Sequence, residues 1–220
     1  MKAPLSKPRP GAFTLIELLV MIVTVALVCV LIPTTVRRQR LARLKTCENN
    51  LKQVGLAFRY WDLNGGGEFV MAISTNYGGS KEQINTGRVF VHFRPMSNQL
   101  ITPKVLVCPQ DAAKTVAAKF SRDFSDTNVS YFVSVDALDL YPRTLLSGDR
   151  NLGFDNQPLK PGLFTLTTNN PTLSWTKALH NSCGNVLFAD SSVQFLGSKQ
   201  LATAARDPEG NLATNRLAIP

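Results

Sequence analysis

Apolar and polar positions alternate in three different ways along the chain. Between 13 and 32, "FTLIELLVMIVTVALVCVLI", apolar side chains follow one another almost without interruption, and Glu17 is the only charge. Twenty such residues are about the length that crosses a hydrocarbon core as a helix. From 33 to 62 the run gives way to a period. Leu44, Cys47, Leu51, Val54, Phe58 and Trp61 are spaced 3, 4, 3, 4 and 3, and Arg43, Lys45, Asn49, Lys52 and Arg59 lie opposite. That spacing predicts a helix docking one face onto its own domain. Pro33 between the regimes predicts a kink, and "LNGGG" at 63–67 ends the helix, because consecutive glycines favour leaving it.

Beyond 68 the apolar runs shorten and turn residues separate them. "RVFVHF", "KVLVC", "VSYFVSV", "GLFTL", "NVLFA" and "SVQFL" read as strands, and "DAAKTVAAKF" as a short helix. One long helix followed by strands predicts an α+β fold with an antiparallel sheet. "GNVLFADSSVQFLG" predicts a hairpin. With a two-residue turn at Asp190 and Ser191, Phe188 faces Val193, Val186 faces Phe195, and all four share one face. Ser191 is the weak point of that turn, since a side chain resists positive φ.

Glu17 changes the reading of the first run. An acid in an apolar helix is costly and needs a compensating partner. The twelve residues before the run, "MKAPLSKPRPGA", are basic and contain no acid, as in an export signal. No small-residue cleavage site follows Ile32, however, so the apolar segment stays attached.

"FTLIELLV" after this basic leader resembles the prepilin-type cleavage and methylation motif shared by type IV pilins and type II secretion pseudopilins. The resemblance implies a cut between Ala12 and Phe13 by a prepilin peptidase, with N-methylation of Phe13. Ala12 stands where the family usually has Gly. Glu17 becomes the fifth mature residue, and the resemblance implies that it neutralises the amino terminus of a neighbouring subunit during assembly. "CENNLKQVGLAFRYWDLN" is similar to a segment following the motif in a large group of these proteins. His180, nine residues and Asp190 resemble that group's His-x9-Asp-Gly signature, with Ser191 in place of Gly. "CPQD" at 108–111, "VSYFVSVDAL" and "LLSGDRNL" are similar to further pieces of it.

The implied architecture is pilin-like: a long N-terminal helix, with a membrane half and an amphipathic half, packed on a C-terminal antiparallel sheet domain. Its divisions are a cleaved leader (1–12), a transmembrane and assembly half (13–32), an amphipathic half (33–62), an exported β-rich domain (63–205) and a flexible tail (206–220). The implied location is the inner membrane, single-pass, with the leader cytoplasmic and the domain exported to periplasm or surface. A count of Lys and Arg alone places the other side inside, because Arg37, Arg38, Arg40, Arg43 and Lys45 outnumber Lys2, Lys7 and Arg9. The implied partners are other pilin or pseudopilin subunits, the prepilin peptidase, the inner-membrane assembly platform and lipid.

The remaining chemistry is sparse. The net charge is +9, and +6 once the leader's three cations are removed. Such a charge suits nucleic acid or anionic lipid, but basic and aromatic residues do not interleave as in a nucleic-acid groove. Cys47, Cys108 and Cys183 follow the apolar run that holds Cys29. Three single bridges are open to them, and spacing does not choose. Because Cys47 and Cys108 both fall in family-like segments, the resemblance favours a Cys47–Cys108 disulfide. His180 and Asp190 are a candidate pair, with Ser182 and His92 the other groups of interest, yet no triad, phosphate loop, dinucleotide fingerprint or zinc-protease motif is present. Asp136, Asp139, Asp149, Asp155 and Asp190 offer oxygen ligands for calcium without EF-hand spacing, so no cofactor is expected. The reading is a structural pseudopilin or minor-pilin-like subunit and not an enzyme. The alternative is a membrane-anchored exported binding protein for DNA or a surface ligand.

Overall fold

A computed structural model describes residues 13–154, 157–167, 172–206 and 215–220, with the backbone alone at 30, 33–37, 40 and 65. The leader with Ala12, Asp155, and 207–214 of the expected tail lie outside the described residues. The chain divides between Ala42 and Arg43 into two compact units.

The first helix, α1 (Leu15–Gly65), contributes to both units and continues through position 33. It begins on a capping box. Thr14 N and Thr14 Oγ1 both donate to Glu17 Oε2 at 3.0 Å, and Glu17 N donates back to Thr14 Oγ1 at 3.4 Å. The pattern Thr-x-x-Glu satisfies orphan amides at a helix start, so Glu17 has a local role that the acid-in-oil argument did not include.

The expected membrane half of this helix is overturned. Among the described residues, no helix is long and apolar enough to cross a membrane. The helix starts at Leu15 and not at Phe13. The single-pass inner-membrane location inferred from that segment is withdrawn with it.

In the second unit the periodic stripe behaves as its spacing predicts. Cys47, Leu51, Val54, Ala57 and Phe58 are buried, and Trp61 packs against the same core. Gly66 and Gly67, at φ of 86° and 89°, lead the chain away from the helix end. Such values cost glycine little and other residues much.

Two short helices follow, α2 (Phe90–Phe93) and α3 (Ser97–Leu100). The first occupies "RVFVHF", expected to be a strand. Asp126 Oδ1 accepts the amides of Val89 at 2.9 Å and Phe90 at 2.8 Å, which holds the segment's start from 37 and 36 residues away. "KVLVC" is also not a strand, since Pro103–Leu106 forms a 3-10 turn started by Thr102. Residues 111–120, read as a helix, contain turns and bends.

Among the described residues, nine strands complete the unit: β1 (Tyr131–Ser134), β2 (Leu145–Asp149), β3 (Leu152–Phe154), β4 (Gln157–Pro158), β5 (Gly162–Leu166), β6 (Leu173–Trp175), β7 (Cys183–Phe188), β8 (Val193–Gly197) and β9 (Asn215–Ile219). Six pair antiparallel in the order β5-β9-β1-β2-β7-β8, and β4-β3-β6 form a smaller sheet. An eight-residue helix, α4 (Ser198–Ala205), follows β8. Both faces of the large sheet are covered. Tyr131, Val133, Leu146, Leu187 and Ala218 join the core under α1. Their alternates Phe132, Leu145, Val186 and Leu217 join a second core with Trp175 and Leu201, as the two-residue period of a strand requires. Residues 215–219, assigned to a free tail, are a strand between β5 and β1 with Leu217, Ala218 and Ile219 buried.

The β7–β8 hairpin forms, but one residue out of the expected register. Leu187 pairs Val193, Val186 pairs Gln194 and Asn185 pairs Phe195. The loop is longer than two residues: Ser191 N donates to Phe188 O, and Phe188 N to Ser192 O, each at 2.9 Å. Ser191 takes φ 69°, the left-handed place of a three-residue loop. Phe195 is left 49% exposed.

Candidate functional site

The densest buried polar chemistry in the second unit lies where three separated segments meet. "CPQD" at 108–111 contributes one partner to each neighbour. Cys108 is bonded to Cys47 on α1 (S–S 2.06 Å), which is the pairing the resemblance favoured. Gln110 Oε1 lies 2.9 Å from His180 Nδ1. Asp111 receives Arg150 through two bonds, Nε to Oδ2 at 2.7 Å and Nη2 to Oδ1 at 2.8 Å. Asn50 on α1 donates to Val107 O at 3.1 Å, tying the same segment to the helix.

The second segment is the end of β2 and the residues after it. Asp149 is fully buried, and its Oδ2 accepts Asn185 N at 2.7 Å and Asn185 Nδ2 at 2.9 Å. His180 Nε2 lies 3.2 Å from the same oxygen. Asp149 Oδ1 is buried with no hydrogen-bond partner. Burial alone would raise the Asp111 carboxyl, but the Arg150 bonds and charge outweigh it and hold Asp111 below the usual carboxylate range. Asn151 Nδ2 donates to the carbonyls of Thr176, Leu179 and Cys183 at 3.1–3.2 Å and so fixes the loop that carries His180.

That loop is strained. His180, Asn181 and Ser182 have φ of 50°, 54° and 60°, and each left-handed non-glycine residue costs roughly 1–2 kcal/mol. Consecutive strain of this kind persists only where surrounding bonds over-determine it. Here Asn151 and the bonds to His180 do so, and they hold the imidazole against Asp149 and 3.5 Å from Cys108 Sγ.

These groups do not make a nucleophilic relay. In a thiol–imidazole–carboxylate triad the two ring nitrogens serve different partners. Here Cys108 and Asp149 both face Nε2, while Nδ1 faces an amide, and the Cys108 sulfur is spent in a disulfide. Surface hollows of about 430, 640 and 280 Å³ are lined by neither His180 nor these cysteines.

The residues singled out in the sequence fall in different places. His180 and Asp190 do not form a pair. The carboxylate beside His180 is Asp149, and Asp190 stays in the hairpin turn, where Oδ1 accepts Ser192 N at 2.8 Å. His92 is buried on α2 and bonded to Ser80 Oγ at 2.8 Å. The aspartates proposed for calcium are dispersed: Asp136 holds Arg216, Asp139 holds Arg59, and Asp149 and Asp190 are bonded as above. Among the described residues, the group of three or more ligand-type side chains that converge is Cys47, Cys108 and His180. The sequence reading missed Gln110, Arg150, Asn151 and Asn185 as site residues and gave Asp149 no histidine partner. The available signal was "GDRN", a polar run at the end of an apolar strand.

In the first unit, the described side chains from 13 to 29 are all exposed. The large apolar ones range from 49% at Val23 to 82% at Leu15. Cys29 is among the exposed residues and is a free thiol. Comparisons with protein-family models, with characterised proteins and with solved structures returned no match.

Proposed function

We propose that the chain is a structural subunit, of the pseudopilin or minor-pilin kind, that joins a fibre by packing residues 13–32 against the same segment of neighbouring subunits. The observation carrying this reading is the exposure of that segment. Apolar side chains emerge on all sides of α1 there. A helix apolar all round is stable only when buried, and contiguous apolar surface of that extent marks an interaction site.

Glu17 supplies register. Its capping bonds from Thr14 use Oε2, and Oε1 takes part in neither. Once the chain is cut before Phe13, the new ammonium of one subunit approaches the Glu17 carboxylate of the next among apolar side chains, where a charge pair is much stronger than in water. The second unit contributes a folded body held by two cores and a disulfide, with no catalytic role assigned to it.

The test is incorporation. Fibres sheared from cells expressing the wild-type chain contain it. Glu17→Ala lowers the incorporated fraction at least about tenfold, with the Cys47–Cys108 bridge and the circular dichroism of the second unit unchanged. Equal incorporation of the variant overturns the role given to Glu17. Absence of the wild-type chain from every sedimenting fibre overturns the function.

A further inference from the structure

The convergence of Cys47, Cys108 and His180 is not needed for assembly and is more specific than a structural disulfide requires. The three ligand atoms lie within 4.8 Å of one another in a buried site. In a tetrahedral zinc site, bonds of about 2.0–2.3 Å place neighbouring ligand atoms about 3.3–3.8 Å apart. His180 Nε2 is already 3.5 Å from Cys108 Sγ and 3.2 Å from Asp149 Oδ2. The two bonded sulfurs stand closer than a metal allows, and Asp149 lies beside His180 but outside the converging group of three.

Two further observations point to a cation. His180 has an oxygen at each ring nitrogen, Gln110 Oε1 at 2.9 Å from Nδ1 and Asp149 Oδ2 at 3.2 Å from Nε2. With Nδ1 turned to Gln110, Nε2 faces both the Asp149 carboxylate and Cys108 Sγ, the partners a metal at this nitrogen would join. A ligating histidine characteristically donates its other N–H to such an acceptor. Asp149 also carries Oδ1, a fully buried carboxylate oxygen without a hydrogen-bond partner, while Asn185 fixes the other oxygen twice.

We infer that the reduced chain binds one divalent transition-metal ion of the zinc class through Cys47, Cys108, His180 and Asp149, and that this state and the Cys47–Cys108 disulfide exclude each other. A dithiol reductant transfers two electrons and two protons to the sulfur–sulfur bond and is itself oxidised to a disulfide. The metal then takes both sulfurs as thiolates, and the two thiol protons, with the proton on Nε2 where present, leave to solvent. Thiolate and neutral imidazole are ligands zinc favours. Because the site is buried, the ion enters as the reduced chain folds. Each state cross-links α1 to the segment after Pro103–Leu106, so that attachment survives a change of redox environment.

The test uses the full chain refolded with a phosphine reductant and cobalt(II). One equivalent should bind and give the visible bands of tetrahedral cobalt with thiolate-to-cobalt charge transfer, and zinc(II) should bleach them. The chain refolded oxidised should give no such bands. Gln110→Leu keeps all four ligands and should weaken cobalt binding about 10–100-fold, the usual cost of losing an outer-shell partner. Metal loading should also slow oxidation of the two thiols by diamide. A reduced chain that folds but shows no stoichiometric thiolate charge transfer overturns the inference. So does one that stays unfolded with and without metal, or equal cobalt binding by the oxidised chain.

Discussion

Ser191 occupies a backbone position that a side chain resists, at φ 69°. Ser191→Gly removes that strain and loses only a 3.5 Å bond to Gly55 O. The variant should be more stable by about 0.5–1 kcal/mol, read as a higher midpoint in urea unfolding. An unchanged or lower midpoint would show that the loop is not strained there. His92 gives a pH dependence. Burial lowers its pKa to about 4, so the folded chain keeps it neutral. Between the unfolded value near 6.5 and about 4, the unfolded chain binds more protons, so this contribution is present above pH 6.5 and is lost as pH falls. The loss approaches about 3 kcal/mol at pH 4, and His92→Asn should flatten that part of the stability profile. At this scale, what was legible was what depends on near neighbours. The capping box at Thr14 and Glu17 spans only four consecutive residues, yet the sequence reading gave Glu17 no such role. The Asp149–His180 contact joins residues 31 apart, and nothing in the spacing announces it.

At the scale of elements, α1 was the most readable because its stripe repeats over five helical spacings, and the buried set from Cys47 to Phe58 follows it. Leu51→Ala opens a fully buried position under the large sheet and should cost about 2–5 kcal/mol, read by chemical denaturation of the disulfide-intact chain. A cost below about 1 kcal/mol would mean that α1 is not seated as described. The hairpin was readable in existence and not in register. Alternation fixes register when one face is wet, and here Leu187 and Val186 are buried on opposite faces, so a one-residue slip hides comparable apolar area. "RVFVHF" became α2 because six apolar-rich residues suit either period and the deciding contact, Asp126, is distant. The strand β9 was lost to the polar stretch before it, which reads as a tail although 215–219 close a gap in the sheet.

At the scale of the molecule, the sequence separated an apolar beginning from an α+β body, and the structure divides the chain between Ala42 and Arg43. Hydropathy suggested a spanning helix, but among the described residues none is long and apolar enough to cross a membrane. The exposed apolar side chains therefore require another explanation, which the proposed fibre provides through copies of the same helix. That account depends on trimming, since only a new amino terminus at Phe13 gives Glu17 its counter-charge. Intact mass and amino-terminal analysis of the chain recovered from sheared fibres test this most directly. The predicted result is a chain that begins at N-methylated Phe13, without Met1 to Ala12, and has two fewer hydrogens for the Cys47–Cys108 bridge. A fibre-borne chain that retains Met1 to Ala12, or begins at any other residue, would contradict it.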